Sequence, residues 1–173
     1  MNDSRPIASV QLRPIVRTDR EALARFYRDL SEDSGEARFL GAAPEIGDTT
    51  ARFFCGPDHE HREGIVAEAL DADGRKLIIG HICLEPISPG IAEMAIAVAD
   101  AWQHHGLGRA LLRRAIDWAR VHGIGELSAS MRCSNAPVMD LIRSTGLSVT
   151  FDAGEGGCVD ARMDLRETRP RAA

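Results

Sequence analysis

Residues 91–122 read Ile91-Ala-Glu-Met-Ala-Ile-Ala-Val98, then Ala99-Asp-Ala-Trp-Gln-His-His-Gly-Leu-Gly108, then Arg109-Ala-Leu-Leu-Arg-Arg-Ala-Ile-Asp-Trp-Ala-Arg-Val-His122. The first eight are apolar except for Glu93 and fit a strand buried on most of its surface. From about Gly106 to His122 the apolar spacing is helical. Leu107, Leu111, Leu112, Ala115, Ile116 and Ala119 share one face, which Arg113, Asp117 and Arg120 leave. Gly123 supplies a C-terminal stop. Between strand and helix lies the loop Gln103-His104-His105-Gly106-Leu107-Gly108. The first turn of a helix leaves backbone N–H groups unpaired at the positive end of the dipole, and those donors suit a pyrophosphate. Gly106 and Gly108 keep side chains out of the approach, and Gly106 accepts a positive φ. Arg109 and Arg113, one turn apart, add charge beside the phosphates. Two glycines before a helix also serve a tight turn and nothing more. A dinucleotide fold is excluded by the missing third glycine and βαβ setting, and a P-loop by the missing Gly-Lys-Ser/Thr.

Outward from this unit the chain alternates strands and helices. Val10 to Val16 reads as a short strand, and Thr18 caps a helix over 19–30, with Glu21 three residues on as in a capping box. The segment 31–64 is the least periodic, one short helix and a long loop, and is the expected seat of acceptor specificity. Strands at 65–70 and 77–84 flank the hairpin residues Asp71-Ala72-Asp73-Gly74. A short strand covers 127–131, and Asn135 caps a helix ending near Gly146. The last strand alternates Val159, Ala161, Met163 and Leu165 against polar residues, so one of its faces is wet. This order predicts an α+β (mixed α/β) fold with helices on the faces of a sheet.

Composition narrows the function. The chain has 173 residues, 44% of them hydrophobic, as expected for one globular domain. A net charge of -5 argues against a general nucleic-acid binder. Cys55, Cys83, Cys133 and Cys158 lie far apart without a CxxC pair, which fits free thiols in a reducing compartment and no zinc site. No apolar signal segment and no membrane-length apolar run occur, so the expected location is cytoplasmic, with no membrane partner. His59-Glu60-His61 resembles half a metal site but has no third ligand near it in sequence, so no metal is expected. His81, within an apolar strand, reads as a hydrogen-bonded core residue.

With these residues in place, Gln103-x-x-Gly106-x-Gly108 resembles the acyl-CoA pyrophosphate motif of the GNAT superfamily of N-acetyltransferases. The strand before the loop, the helix after it and the helix begun by Asn135 follow that family's order. The similarity covers residues 8–166 as a single acetyltransferase domain, leaving 1–7 and 167–173 as tails. Within the superfamily, residues 93–103, Leu30-Ser31-x-x-Ser34 and Arg38-Phe39 resemble bacterial protein lysine acetyltransferases. The resemblance implies a mostly antiparallel central sheet with a splayed strand pair that holds the pantetheine arm of acetyl-CoA. It further implies that backbone groups of Ile96, Ala97 and Val98 pair with that arm, one N–H also meeting the oxyanion. The phosphates would lie against Gln103, His104, His105, Gly106, Leu107, Gly108 and Arg109, and Asn135 would touch the cofactor besides capping its helix. A homodimer through the sheet is compatible with the family.

Glu93 interrupts an apolar run, where a carboxylate is costly unless exposed or partnered. One reading is a solvent-facing strand residue. The other, at the position of the lysine acetyltransferases' base, is the catalytic carboxylate that deprotonates the acceptor amine. The tyrosine that protonates the departing thiolate in many GNAT enzymes is replaced here by Ile142, and the chain's one tyrosine is Tyr27. A coenzyme A thiol is acidic enough to leave without that donor. The expected reaction is acetyl transfer from acetyl-CoA to a protein lysine ε-amine. The alternatives are a small-molecule amine as acceptor, or a non-catalytic acyl-CoA-binding regulatory module.

Overall fold

A computed structural model describes residues 10–41, 46–71 and 73–168. In chain order the elements are β1 (Gln11–Pro14), α1 (Arg20–Arg28), α2 (Glu32–Phe39), α3 (Asp48–Phe54), β2 (Glu63–Leu70) and β3 (Lys76–Ser88). There follow β4 (Ile91–Val98), α4 (Leu107–Val121), β5 (Glu126–Arg132), α5 (Ala136–Arg143), β6 (Leu147–Ala153) and β7 (Cys158–Thr168). Among the described residues the strands form one seven-stranded sheet, ordered β1-β2-β3-β4-β5-β7-β6. Every neighbouring pair is antiparallel except β4 and β5. Those two run parallel, and they pair only over Ile91–Glu93 against Glu126–Ser128. Beyond Glu93 the strands part, so the sheet is forked at its middle. The expected mixed fold with a splayed pair is the one observed.

The amphipathic stripe of α4 explains its place. Leu111, Leu112, Ala115 and Ala119 are buried with Ile65, Ile79, Ile82 and Leu84 of the strands beneath. Gly80 sits under this helix because a Cβ there would come within 2.9 Å of Leu111 Cδ1. On the opposite face Leu23, Phe26 and Tyr27 of α1 cover Val66, Ile78 and Ala97. With both faces covered, β2 is buried from Glu63 through Ala69. At one edge Arg13 joins two buried carboxylates, Asp19 (2.7 Å) and Glu68 (2.7 Å), which removes the cost of leaving either charge unpaired.

Three local expectations are corrected. Thr18 does not cap the first helix: residues 17–19 form a 3-10 turn, and it is the Asp19 carboxylate that accepts the Val16 N–H at 2.8 Å. Glu21 instead lies exposed and pairs with Arg25. The segment 31–64, expected to hold one helix and a long loop, holds two helices among its described residues. Helix α2 shows no apolar stripe because Gly35 is its one fully buried residue. Lastly, β3 runs past Leu84 to Ser88, where it pairs with the first residues of β4.

Candidate active site

The fork in the sheet opens into a cleft of about 510 Å³. Its walls come from four directions. Met94 to Val98 of β4 form one side and Ala129, Ser130 and Met131 of β5 the other. The start of α4 supplies Gly108 and Arg109, and α5 supplies Val138 and Leu141, with its C-cap Ser144 at helical spacing. Asp33, Ser34, Ala37 and Arg38 of α2 close the fourth side. Since no strand among the described residues pairs with the β5-facing edge of β4 beyond Glu93, that edge can take an extended ligand as an added strand.

The loop between β4 and α4 is built for an anion. Gly106 has φ +81, a value that side-chain-bearing residues rarely adopt, and His104 shares that left-handed region at φ 61. These two turns aim the start of α4 at the cleft. The first intrahelical bond runs from the Ala110 N–H to the Gly106 carbonyl at 3.1 Å, leaving the N–H groups of Leu107, Gly108 and Arg109 ahead of it. At Gly108 a Cβ would touch Leu141 Cδ2 at 3.4 Å and Val98 Cγ2 at 3.9 Å, between the two walls of the cleft. Gly106 therefore supplies the conformation and Gly108 the space.

Among the residues singled out by sequence, Ile96, Ala97, Val98, Gln103, His104, Gly108, Arg109 and Asn135 all line this one cleft. Asn135 also caps α5, its Oδ1 accepting the Val138 N–H at 3.3 Å. His105 is exposed, and the Leu107 side chain turns into the core, so each offers the cleft at most its backbone. The Gln103 amide points back into the protein, donating to the Val98 carbonyl (3.1 Å) and the Ser34 hydroxyl (3.0 Å). Glu93 stands at the crotch of the fork, the last β4 residue paired with β5 and next to Met94, where the cleft begins. It is exposed, and alternation with buried Ala92 and Met94 puts it on the sheet face that carries α2. Opposite it on β3 is Glu85, whose charge is taken up by Arg62 (Nη2 to Oε1, 2.8 Å).

Behind Glu93 the same face carries a buried polar cluster around His81, which sequence reading marked as a hydrogen-bonded core residue without its partners. Arg38 reaches over the rings of Phe39 (5.0 Å), Phe54 (5.6 Å) and Tyr27 (5.9 Å), and donates to Cys83 Sγ at 3.5 Å. Burial works against its charge, but Tyr27, Cys83 and Glu93 outweigh it and raise its pKa. The Tyr27 hydroxyl shares a hydrogen bond of 2.8 Å with His81 Nδ1. Burial pushes Tyr27 up to about 12, while burial and then the Arg38 charge bring His81 down to about 3. Tyr27 does not line the cleft and Ile142 is fully buried in the core. Tyr27 is therefore not placed to protonate a thiolate there, and the Ile142 hydrocarbon has no proton to give.

His59 and His61 are bound to separate carboxylates, Glu63 (2.6 Å) and Asp58 (2.9 Å). No group of three or more metal-ligating side chains occurs among the described residues. The four cysteines are free thiols, two of them buried. No helix among the described residues is long and apolar enough to cross a membrane.

The model of the acetyltransferase (GNAT) family matches residues 20–147, most of the chain and the whole of the cleft described above. The chain belongs to the GNAT family of acetyltransferases. As a member it is an enzyme that takes its acetyl group from acetyl-CoA and passes it to an amine. It is 29% identical over 160 residues to Acetyltransferase PA5475 of Pseudomonas aeruginosa, covering 90% of this chain and 84% of that one. The GNAT domain of PAT from S. lividans superposes with a TM-score of 0.79 at 27% identity, over 90% of each chain. The fold is also that of yncA from Salmonella typhimurium, solved with its cofactor acetyl-CoA (TM-score 0.70, 21% identity, 95% of this chain and 99% of that one). Membership in an enzyme family sets aside the non-catalytic alternative.

Proposed function

We propose that this acetyltransferase acts on a protein lysine ε-amine, binds acetyl-CoA in the fork between β4 and β5, and uses Glu93 as general base. The observation that carries the reading is the position of Glu93, exposed at the point where the two strands part and the cleft begins. An acyl group whose carrier lay along the freed edge of β4 would present its thioester close to that carboxylate. The phosphates would meet the N–H groups at the start of α4, beside Arg109. A lysine ammonium, with an ordinary pKa near 10.4, arrives protonated. Glu93 takes one proton, directly or through a water, and the neutral nitrogen attacks the thioester carbonyl. A backbone N–H of the freed β4 edge stabilises the oxyanion. The C–S bond then breaks, and the thiolate leaves and takes up the amine's second proton. Support for a protein acceptor comes from the resemblance of residues 93–103 to protein lysine acetyltransferases and from Arg38 on the α2 wall of the cleft.

Glu93→Gln tests this directly, because the amide keeps the size but cannot accept the proton. General-base assistance is worth roughly 10²–10⁴-fold, so kcat at pH 7 should fall by about that factor with acetyl-CoA affinity nearly unchanged. The loss should shrink toward pH 10, where lysine needs no base. A folded variant turning over at the wild-type rate at pH 7 would remove Glu93 from the mechanism.

A further inference from the structure

Helix α2 closes the cleft, yet little apolar contact holds it there. Its one fully buried residue is Gly35, and of its apolar side chains only Phe39, at the last position, joins the core. What fixes it is polar. Asp100, in the short turn after β4, accepts the Ser31 N–H (2.9 Å), the Ser31 hydroxyl (2.6 Å) and the Ser34 hydroxyl (2.7 Å). The Ser34 oxygen in turn accepts the Gln103 amide, which also holds the last carbonyl of β4. At its other end α2 is tied to the opposite limb of the fork, Arg132 of β5 donating to the Leu40 carbonyl at 3.4 Å. So α2 is a strap across the fork, and its N-terminal tie is made to residues lying between β4 and the anion-binding loop.

We propose that Asp100 is a positioning residue that couples the acyl-donor loop to α2, so that occupation of the loop sets the acceptor wall formed by Ala37 and Arg38. The reasoning is geometric. Asp100 and Gln103 lie on the short stretch between β4 and the left-handed residues His104 and Gly106 that aim α4 at the phosphates. A ligand that fixes this stretch also fixes the Asp100 carboxylate and the Gln103 amide, and through them both serines of α2. Ser31 and Ser34 thereby have a role beyond capping: Ser31 bonds the Ser34 N–H at 3.3 Å as an N-cap, while both hydroxyls donate outward to Asp100. Arg38 follows Ser34 by one turn on the same face, so the position of one sets that of the other. The inference rests on the assignment of this cleft to acetyl-CoA.

Hydrogen exchange of the amides in 32–39, with and without saturating coenzyme A, tests the coupling, after calorimetry has given the coenzyme A affinity of each protein. In the wild type, coenzyme A should slow exchange in α2 by about threefold or more. In Asp100→Ala that slowing should disappear while coenzyme A affinity stays within about threefold, and in Ser34→Ala it should disappear when compared at coenzyme A concentrations that saturate that variant. Asp100→Asn, which keeps an acceptor at the same place, should restore part of it. If α2 slows in Asp100→Ala as much as in the wild type, or does not respond in the wild type although coenzyme A binds, the coupling is refuted and the cleft assignment stands. Absence of coenzyme A binding by the wild type would instead refute the cleft assignment and the coupling with it. Ser34→Ala removes a single hydroxyl, so it remains decisive if Asp100→Ala fails to fold.

Discussion

His81 is wholly buried, bonded through Nδ1 to Tyr27, and its Nε2 has no hydrogen-bond partner among the described residues. Burial depresses its folded pKa to about 3, against an ordinary 6.5. The unfolded chain therefore binds a proton at this residue between those values and the folded chain does not. Its contribution to stability is fully present above pH 6.5 and declines as the pH falls below it. From pH 6.5 to 5, above the range where carboxylates titrate, denaturant unfolding should show the wild type losing about 1 kcal/mol per pH unit more than His81→Gln. Parallel profiles would contradict the neutral, buried assignment. At this scale the sequence was legible wherever a residue broke its local pattern. Glu93 stood out against an apolar strand and Gly106 against a helix start, and both lie at the cleft's defining points. Gln103 drew attention too, but its side chain bonds the protein's own α2, a long-range contact that no local spacing reveals. The left-handed conformation of His104 was equally hidden.

The elements most easily read were those with a two-sided environment. The stripe on α4 and the alternation in β7 gave their boundaries within a few residues, because burial of one face dictates period. Helix α2 escaped because it is anchored by Asp100 and Arg132 rather than by an apolar face. The residues of α5 and its C-cap that line the cleft were missed for a different reason. Val138, Leu141 and Ser144 read simply as part of a capped helix, and only the fork makes their face a wall. The acceptor wall is where substrate choice is tested. If a protein surface docks against α2, Arg38→Ala or Ala37→Arg should weaken acetylation of a folded substrate protein about tenfold or more in kcat/KM. Free lysine and short polyamines should stay poor substrates throughout. Efficient turnover of such an amine, unaffected by either change, would assign this enzyme a small-molecule acceptor.

For the molecule as a whole, the decisive feature is that a continuous hydrogen-bonded sheet is interrupted once, at β4 and β5, beyond a three-residue parallel pairing. Outside the segment 31–64, the order of strands and helices was readable from sequence because those elements carried their own period, whereas the fork is a property of how two strands fail to meet. Only the family resemblance anticipated it. Around that gap the fold brings together an unpaired strand edge, an anion-binding helix start, a capped helix and a carboxylate, drawn from residues 33–144. The account stands or falls on whether acetyl-CoA occupies this gap with its phosphates at Gly108. The most direct measurement is a calorimetric titration of coenzyme A into the wild type and into Gly108→Val, both first shown to be folded by circular dichroism. Valine's Cβ would rest against Leu141 and Val98, and its branches would stand in the approach to the α4 amides. Affinity should fall at least tenfold, about 1.4 kcal/mol, and equal affinity in the two proteins would contradict the placement of the cofactor in the fork.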